Sequence, residues 1–234
     1  MFWCISKKNS LNRRLYCFCA FIHYLFMNYC RSSNLSDDNR REVALKSNII
    51  LLTTLILCGC GKSKESQFYI LTPIPPQKSH HFYNQVQIGI DSVTIPDYIK
   101  KKQLMINQSP NHLNIEEFDQ WAGPLDKNIT LVLTTNLSTL IPGAIVQSAP
   151  FDSKFNPDYH LQVDISQFEI DIHGTSILRA EYIIYRQEKL IHKGNTYYHI
   201  TIPVVTPEAL VKSMNTNLTS LSIKIAHSFI KNNK

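Results

Sequence analysis

The residues able to do chemistry in this chain are few and dispersed. All six cysteines (Cys4, Cys17, Cys19, Cys30, Cys58 and Cys60) fall within the first 60 residues. The remainder therefore holds neither a disulfide nor a thiolate metal site. Eight of the nine histidines follow residue 60, yet no two stand at a metal-ligand spacing beside a carboxylate. His80-His81 sits in a polar stretch, and His160 falls on the outward phase of a strand pattern, where an imidazole is ordinarily solvated or hydrogen-bonded. Glu116-Glu117-x-Asp119 has the residue types of an acid/base pair, but carboxylates leaving a hairpin are usually solvated. Lys100-Lys101-Lys102 is a short cationic run suited to solvent first and to lipid headgroups second. There is no G-x-S-x-G nucleophile elbow, no P-loop and no G-x-G-x-x-G. These patterns point away from an enzyme and imply no metal and no diffusible cofactor.

One thiol does have a defined chemistry. Asn48 to Leu57 is a run of ten apolar or small residues behind Lys46. It is too short for a bilayer span of ~20 residues but suits the core of a signal peptide. The run ends in Leu57-Cys58-Gly59-Cys60-Gly61, which resembles the lipobox of bacterial lipoproteins, with Leu three positions before the acylated Cys and small residues between. Cys60 is the expected lipidation site, and its covalent lipid the only attached group. Cys58 fits less well, because Leu57 would then flank the cleaved bond. Gly61 and Lys62 follow Cys60, with no Asp retention signal, so the general sorting rule favours the periplasmic face of the outer membrane. Residues 43–59 read as the lipoprotein signal peptide. Residues 1–42, which include Asp37-Asp38-Asn39-Arg40-Arg41-Glu42, read as an overrun of a start near Val43 or as an extended leader. The rival for that stretch is a membrane segment over Leu15 to Tyr29 behind Arg13-Arg14.

The net charge of +6 invites a nucleic-acid reading. It is concentrated in the leader. The first 60 residues hold eight Lys and Arg against three acids, which leaves 16 bases against 15 acids in the rest. A near-neutral domain has no electrostatic footprint for phosphate backbones, so no nucleic-acid partner is expected.

The elements behind Cys60 begin with a tether and short strand over 60–84, the strand at Phe68-Tyr-Ile-Leu71. The main domain over 85–234 opens with alternation at Val86 to Val93, which predicts a strand closed by Ile95-Pro96. Leu104 to Ile106 and Leu113 to Phe118 predict a hairpin around Ser109-Pro110-Asn111. After Gly123-Pro124, the three- and four-residue spacing of Leu125, Ile129, Val132, Leu133, Asn136, Leu137 and Leu140 predicts a helix ending before Pro142-Gly143. Tyr159 to Phe168 alternates, with Tyr159, Leu161, Val163 and Ile165 on one face. Two further strands are expected at about 177–186 and 190–202, turning at Arg186-Gln-Glu-Lys189. Thr206-Pro207-Glu208 starts a last helix with a cap, a proline at its first position and an acid at its positive end. Leu210, Met214, Leu218, Leu221, Ile225 and Phe229 form its buried stripe. The fold class is α/β: a single domain, a mixed β-sheet covered by two amphipathic helices, preceded by a lipoprotein signal peptide.

In colinear order, several segments resemble the ABC-type transport auxiliary lipoprotein family. They are Phe68-Tyr69-x-Leu71, then Val93-x-Ile95-Pro96-x-Tyr98 with Gln103, then Trp121-x-x-Pro124-Leu125 opening a helix with Ile129, Leu133, Asn136 and Leu137. Tyr159-x-Leu161-x-Val163-Asp164-Ile165 with Phe168 and the long last helix complete the set. Leu104-Met105-Ile106 after Gln103, and the start of the last helix, depart from the family pattern. The resemblance implies a non-enzymatic outer-membrane lipoprotein of an intermembrane lipid transport system. Such a protein receives the periplasmic end of an MCE-type tunnel, carries phospholipid or another hydrophobic solute, and assembles as a homo-oligomer. Tyr98, Trp121 and Pro124 are expected to define the fold first and to contact a partner second. The rival reading is a structural lipoprotein that stabilises or plugs an outer-membrane protein.

Overall fold

The computed structural model describes residues 64–76 and 86–232. Cys60, the leader with its signal peptide, and His80-His81 lie outside the described residues. In chain order the elements are β1 (Gln67–Tyr69), β2 (Gln87–Thr94), a 3-10 turn (Asp97–Ile99), β3 (Gln103–Ser109), β4 (His112–Trp121), α1 (Leu125–Leu140), β5 (Ile145–Ser148), β6 (Tyr159–Ile170), β7 (Thr175–Arg186), β8 (Lys189–Thr201) and α2 (Pro207–Asn232).

The strands divide into two sheets where the sequence had suggested one. A five-stranded sheet runs β5-β2-β6-β7-β8, and a three-stranded sheet runs β1-β4-β3. Ile95-Pro96 and the 3-10 turn break the chain after β2, so β3 leaves the first sheet and pairs antiparallel with β4. β1 then adds in parallel to the far edge of β4, with Tyr69 opposite Trp121. A single bridge, Asn107 to Asp171, joins the two sheets at one end. β5 was not expected. Its residues are exposed or half-buried and carry no apolar alternation, and it forms only because β2 offers it a parallel neighbour.

α1 and α2 pack against each other and against the five-stranded sheet. The apolar stripe of α1 is buried from Leu125 to Leu137, and that of α2 from Leu210 to Phe229. The facing sheet residues are Leu161 opposite Ile184, Val163 opposite Tyr182 and Ile165 opposite Ala180. Strict alternation would turn Phe168 outward. A β-bulge between Ile165 and Gln167 shifts the phase, so Phe168 and Ile170 are buried as well. Side chains of this size contribute about 1.5–3 kcal/mol each when fully buried. Thr206 caps α2, its Oγ1 accepting from the Ala209 N–H at 3.2 Å. Among the described residues no helix is long and apolar enough to cross a membrane.

Candidate functional site

The segment next to the expected anchor is held by side chains that the sequence pattern had assigned to other work. Lys64 Nζ lies 3.6 Å from Asp119 Oδ2 and 5.4 Å from the Phe118 ring centre. Tyr69 donates its hydroxyl to Asp119 Oδ1 at 2.9 Å. Asp119 is therefore a buried, partnered carboxylate rather than a solvated one. Burial, the bond to Asp119 and that residue's charge push the Tyr69 phenol up to about 12.

Three asparagines then fasten residues 71–74 to the helices. Leu71 N–H donates to Asn128 Oδ1 at 2.7 Å, and Asn128 Nδ2 donates back to Leu71 O at 3.1 Å. Thr72 N–H donates to Asn215 Oδ1 at 2.9 Å. Ile74 N–H donates to Asn136 Oδ1 at 2.9 Å, while Asn136 Nδ2 donates to Ser222 Oγ, also at 2.9 Å. Asn136 is fully buried inside the apolar stripe of α1. There it satisfies a backbone group that has no strand partner. Sequence reasoning had missed this strap. The available signal was an asparagine at a core position of a helix, a residue type that is buried only when bonded.

Tyr98 stands on the 3-10 turn, 38% exposed. Its hydroxyl donates to Glu169 Oε1, and Glu169 Oε2 accepts from Asn107 Nδ2 and Gln167 Nε2 at 2.8 and 2.9 Å. Burial of the ring and the neighbouring carboxylate drive the Tyr98 phenol well above its usual range. Trp121 is 3% exposed and belongs to the core, with its N–H donating to Lys102 O at 2.8 Å. Pro124 is exposed at the N-cap of α1, where its missing N–H costs nothing. Thus Tyr98 and Pro124 are open to a partner, and Trp121 is interior.

The remaining candidates do not assemble into a catalytic group. His160 Nδ1 pairs with Asp91 Oδ1 at 2.9 Å, across neighbouring strands. Glu116 accepts from Asn114. Lys100 pairs with Asp97 at 2.6 Å on the surface. Among the described residues no group of three His, Cys, Asp or Glu is arranged to hold a metal. A shallow open groove of about 600 Å³ crosses the outer face of β6, β7 and β8, lined by Asp164, Ser166, Arg179, Glu181 and Tyr197. Arg179 lies over the Tyr197 ring there, and Lys193 pairs with Glu181 at 2.8 Å. It is a polar surface without an enclosed cavity, and the domain offers surfaces for contact rather than a reaction centre.

The comparisons agree with an interaction protein. The chain is similar to the intermembrane transport lipoprotein PqiC of Escherichia coli (strain K12), with 26% identity over 151 residues, 64% of this chain and 79% of that one. The PqiC protein of Shigella flexneri gives the same figures. Among solved structures, a crystal structure of an uncharacterized protein superposes with a TM-score of 0.60 at 22% identity, covering 71% of this chain and 99% of the other. Protein XCC0632 from Xanthomonas campestris superposes with a TM-score of 0.55 at 15% identity, covering 72% and 97%. These two likenesses are of fold. The model of the ABC-type transport auxiliary lipoprotein component matches residues 69–226, from the end of β1 into the last turns of α2, and the chain belongs to that family.

Proposed function

We propose that this protein is the outer-membrane lipoprotein of an intermembrane lipid transport system. In this reading, acyl chains on Cys60 hold it to the periplasmic face, and its domain docks the periplasmic end of an MCE-type tunnel. Phospholipid or another hydrophobic solute is the cargo, and the protein itself catalyses no step. The observation that carries the reading is the family match beginning at Tyr69, close behind the lipobox-like Leu57-Cys58-Gly59-Cys60. Each buried methylene of an acyl chain contributes ~0.8 kcal/mol, so two or three chains make the anchor effectively permanent. The strap at residues 71–74 supports it further, because a load on the anchor would pass into α1 and α2 through bonds from Asn128, Asn136 and Asn215.

Crosslinking in cells tests it, with photoreactive residues at Tyr98 and at exposed Gly123 beside Trp121. Adducts with an MCE-type periplasmic protein, lost in Cys60→Ala, are expected. Adducts only with an outer-membrane barrel would instead favour a lipoprotein that stabilises that barrel.

A further inference from the structure

We propose that one end of the domain rests on the bilayer, with Ile172, Val204 and Val205 buried among the lipid headgroups. These residues are 47%, 65% and 44% exposed. They come from two separate loops, the β6–β7 turn and the β8–α2 connection, which the fold brings together beside the β3–β4 tip. At Gly174, whose φ is +83°, a Cβ would stand 2.7 Å from Ile202 O and 3.1 Å from Val205 Cγ2. Ile172 N–H donates to Asn107 O at 3.1 Å, which brings in the β3–β4 tip. Exposed apolar residues gathered in this way mark a contact surface.

The path of the chain says what covers it. β4 leaves the hairpin tip at His112 and runs away from it, and β1 lies parallel to β4, with Gln67 opposite Asp119. The chain therefore enters β1 from the tip side of the domain. Cys60 is four residues before Lys64, so its sulfur's backbone can lie no more than about 14 Å from Lys64 even when fully extended. A bilayer holding Cys60 is thus brought to the end that carries Ile172, Val204 and Val205, and this inference rests on the lipid-anchor reading above. The β7–β8 turn is at the other end of β7, roughly 36 Å away at ~3.3 Å per residue.

The charges fit a contact made through apolar burial. The Asp171 carboxylate is turned into its own turn, accepting from His173 N–H and Thr175 N–H at 2.8 Å each. Ile202 to Thr206 carries no acid and no base. Such a surface suits a bilayer without a strong demand for anionic lipid.

The test uses the processed, lipidated protein in vesicles of phosphatidylethanolamine and phosphatidylglycerol. No cysteine follows Cys60, so Val204→Cys and Glu188→Cys each supply a single free thiol for an environment-sensitive fluorophore. Brominated acyl chains should quench the label at 204 several-fold more than the label at 188, on the exposed β7–β8 turn. Equal quenching at the two positions, or none at either in protein that floats with the vesicles, would overturn the proposal while leaving the anchor intact. Absence of quenching would assign the patch to a protein partner. Failure to float would overturn the anchor reading, and this inference with it.

Discussion

Asn128 and Leu71 exchange two hydrogen bonds, the amide side chain of a helix acting as the partner that a neighbouring strand would otherwise supply to Leu71 N–H and C=O. β1 is only three residues long, so its own pairing with β4 cannot fix the segment that follows. Asn128, Asn215 and Asn136 take over in turn, which explains how a short edge strand near the expected anchor is tied to the body of the domain.

Replacing Asn128 by Ala should therefore leave two backbone groups unpaired in a partly buried site and lower stability by about 1–3 kcal/mol. Asn136→Leu should cost at least as much, because Ile74 N–H and Ser222 lose a partner inside the core. Denaturant midpoints check the totals. Hydrogen exchange checks the mechanism, with Leu71 and Ile74 amides losing protection before those of α2. Unchanged exchange at residues 71–74 in both variants would count against the strap.

Tyr69 should shape the alkaline limb of stability. Its phenol is pushed up to about 12 in the folded state, by burial first and then by Asp119, whereas an unfolded tyrosine titrates near ~10. The folded state thus binds the proton more tightly. The resulting stabilisation is complete below pH ~10 and is lost as the pH rises through ~12. The stability difference between wild type and Tyr69→Phe should shrink across that window, and using the difference cancels the contributions of Tyr98 and Tyr198. A difference that stays constant through the window would contradict this account.

Gly194 lies opposite Tyr182 on adjacent strands. A Cβ at Gly194 would meet Tyr182 Cζ at 2.4 Å, and the Tyr182 ring is held in the core with its hydroxyl 2.7 Å from Ser228 Oγ. Gly194→Ala should destabilise by about 1–3 kcal/mol through overpacking. The smaller side chain of Tyr182→Leu should recover part of that loss, since contacting sites couple. A double-mutant cycle in thermal unfolding measures it, and strict additivity would show that the clash is relieved elsewhere.

Cys60→Ala should abolish acylation and move the protein from the membrane to the soluble periplasmic fraction. Mass spectrometry of the mature chain and membrane fractionation check the two halves separately. A variant that stays membrane-bound without an acyl mass would place the attachment elsewhere.

Much of this protein was legible in its residues, because local periodicity and caps act over a few positions. The stripes of α1 and α2, the Thr206 cap, the β3–β4 hairpin and the β6–β7–β8 run follow from such short-range patterns. The lipobox-like cysteine and the colinear family motifs were equally local. Tertiary structure alone decided the rest. Whether eight strands form one sheet or two depends on which edges meet after Pro96 turns the chain. The fate of Phe168 depends on a bulge that no alternation rule contains. Asp119 is indistinguishable in sequence from a solvated acid until Tyr69 and Lys64 arrive from 50 and more residues away. The apolar end formed by Ile172, Val204 and Val205 has the same origin, since residues far apart in the chain become a surface only when their loops close on one another.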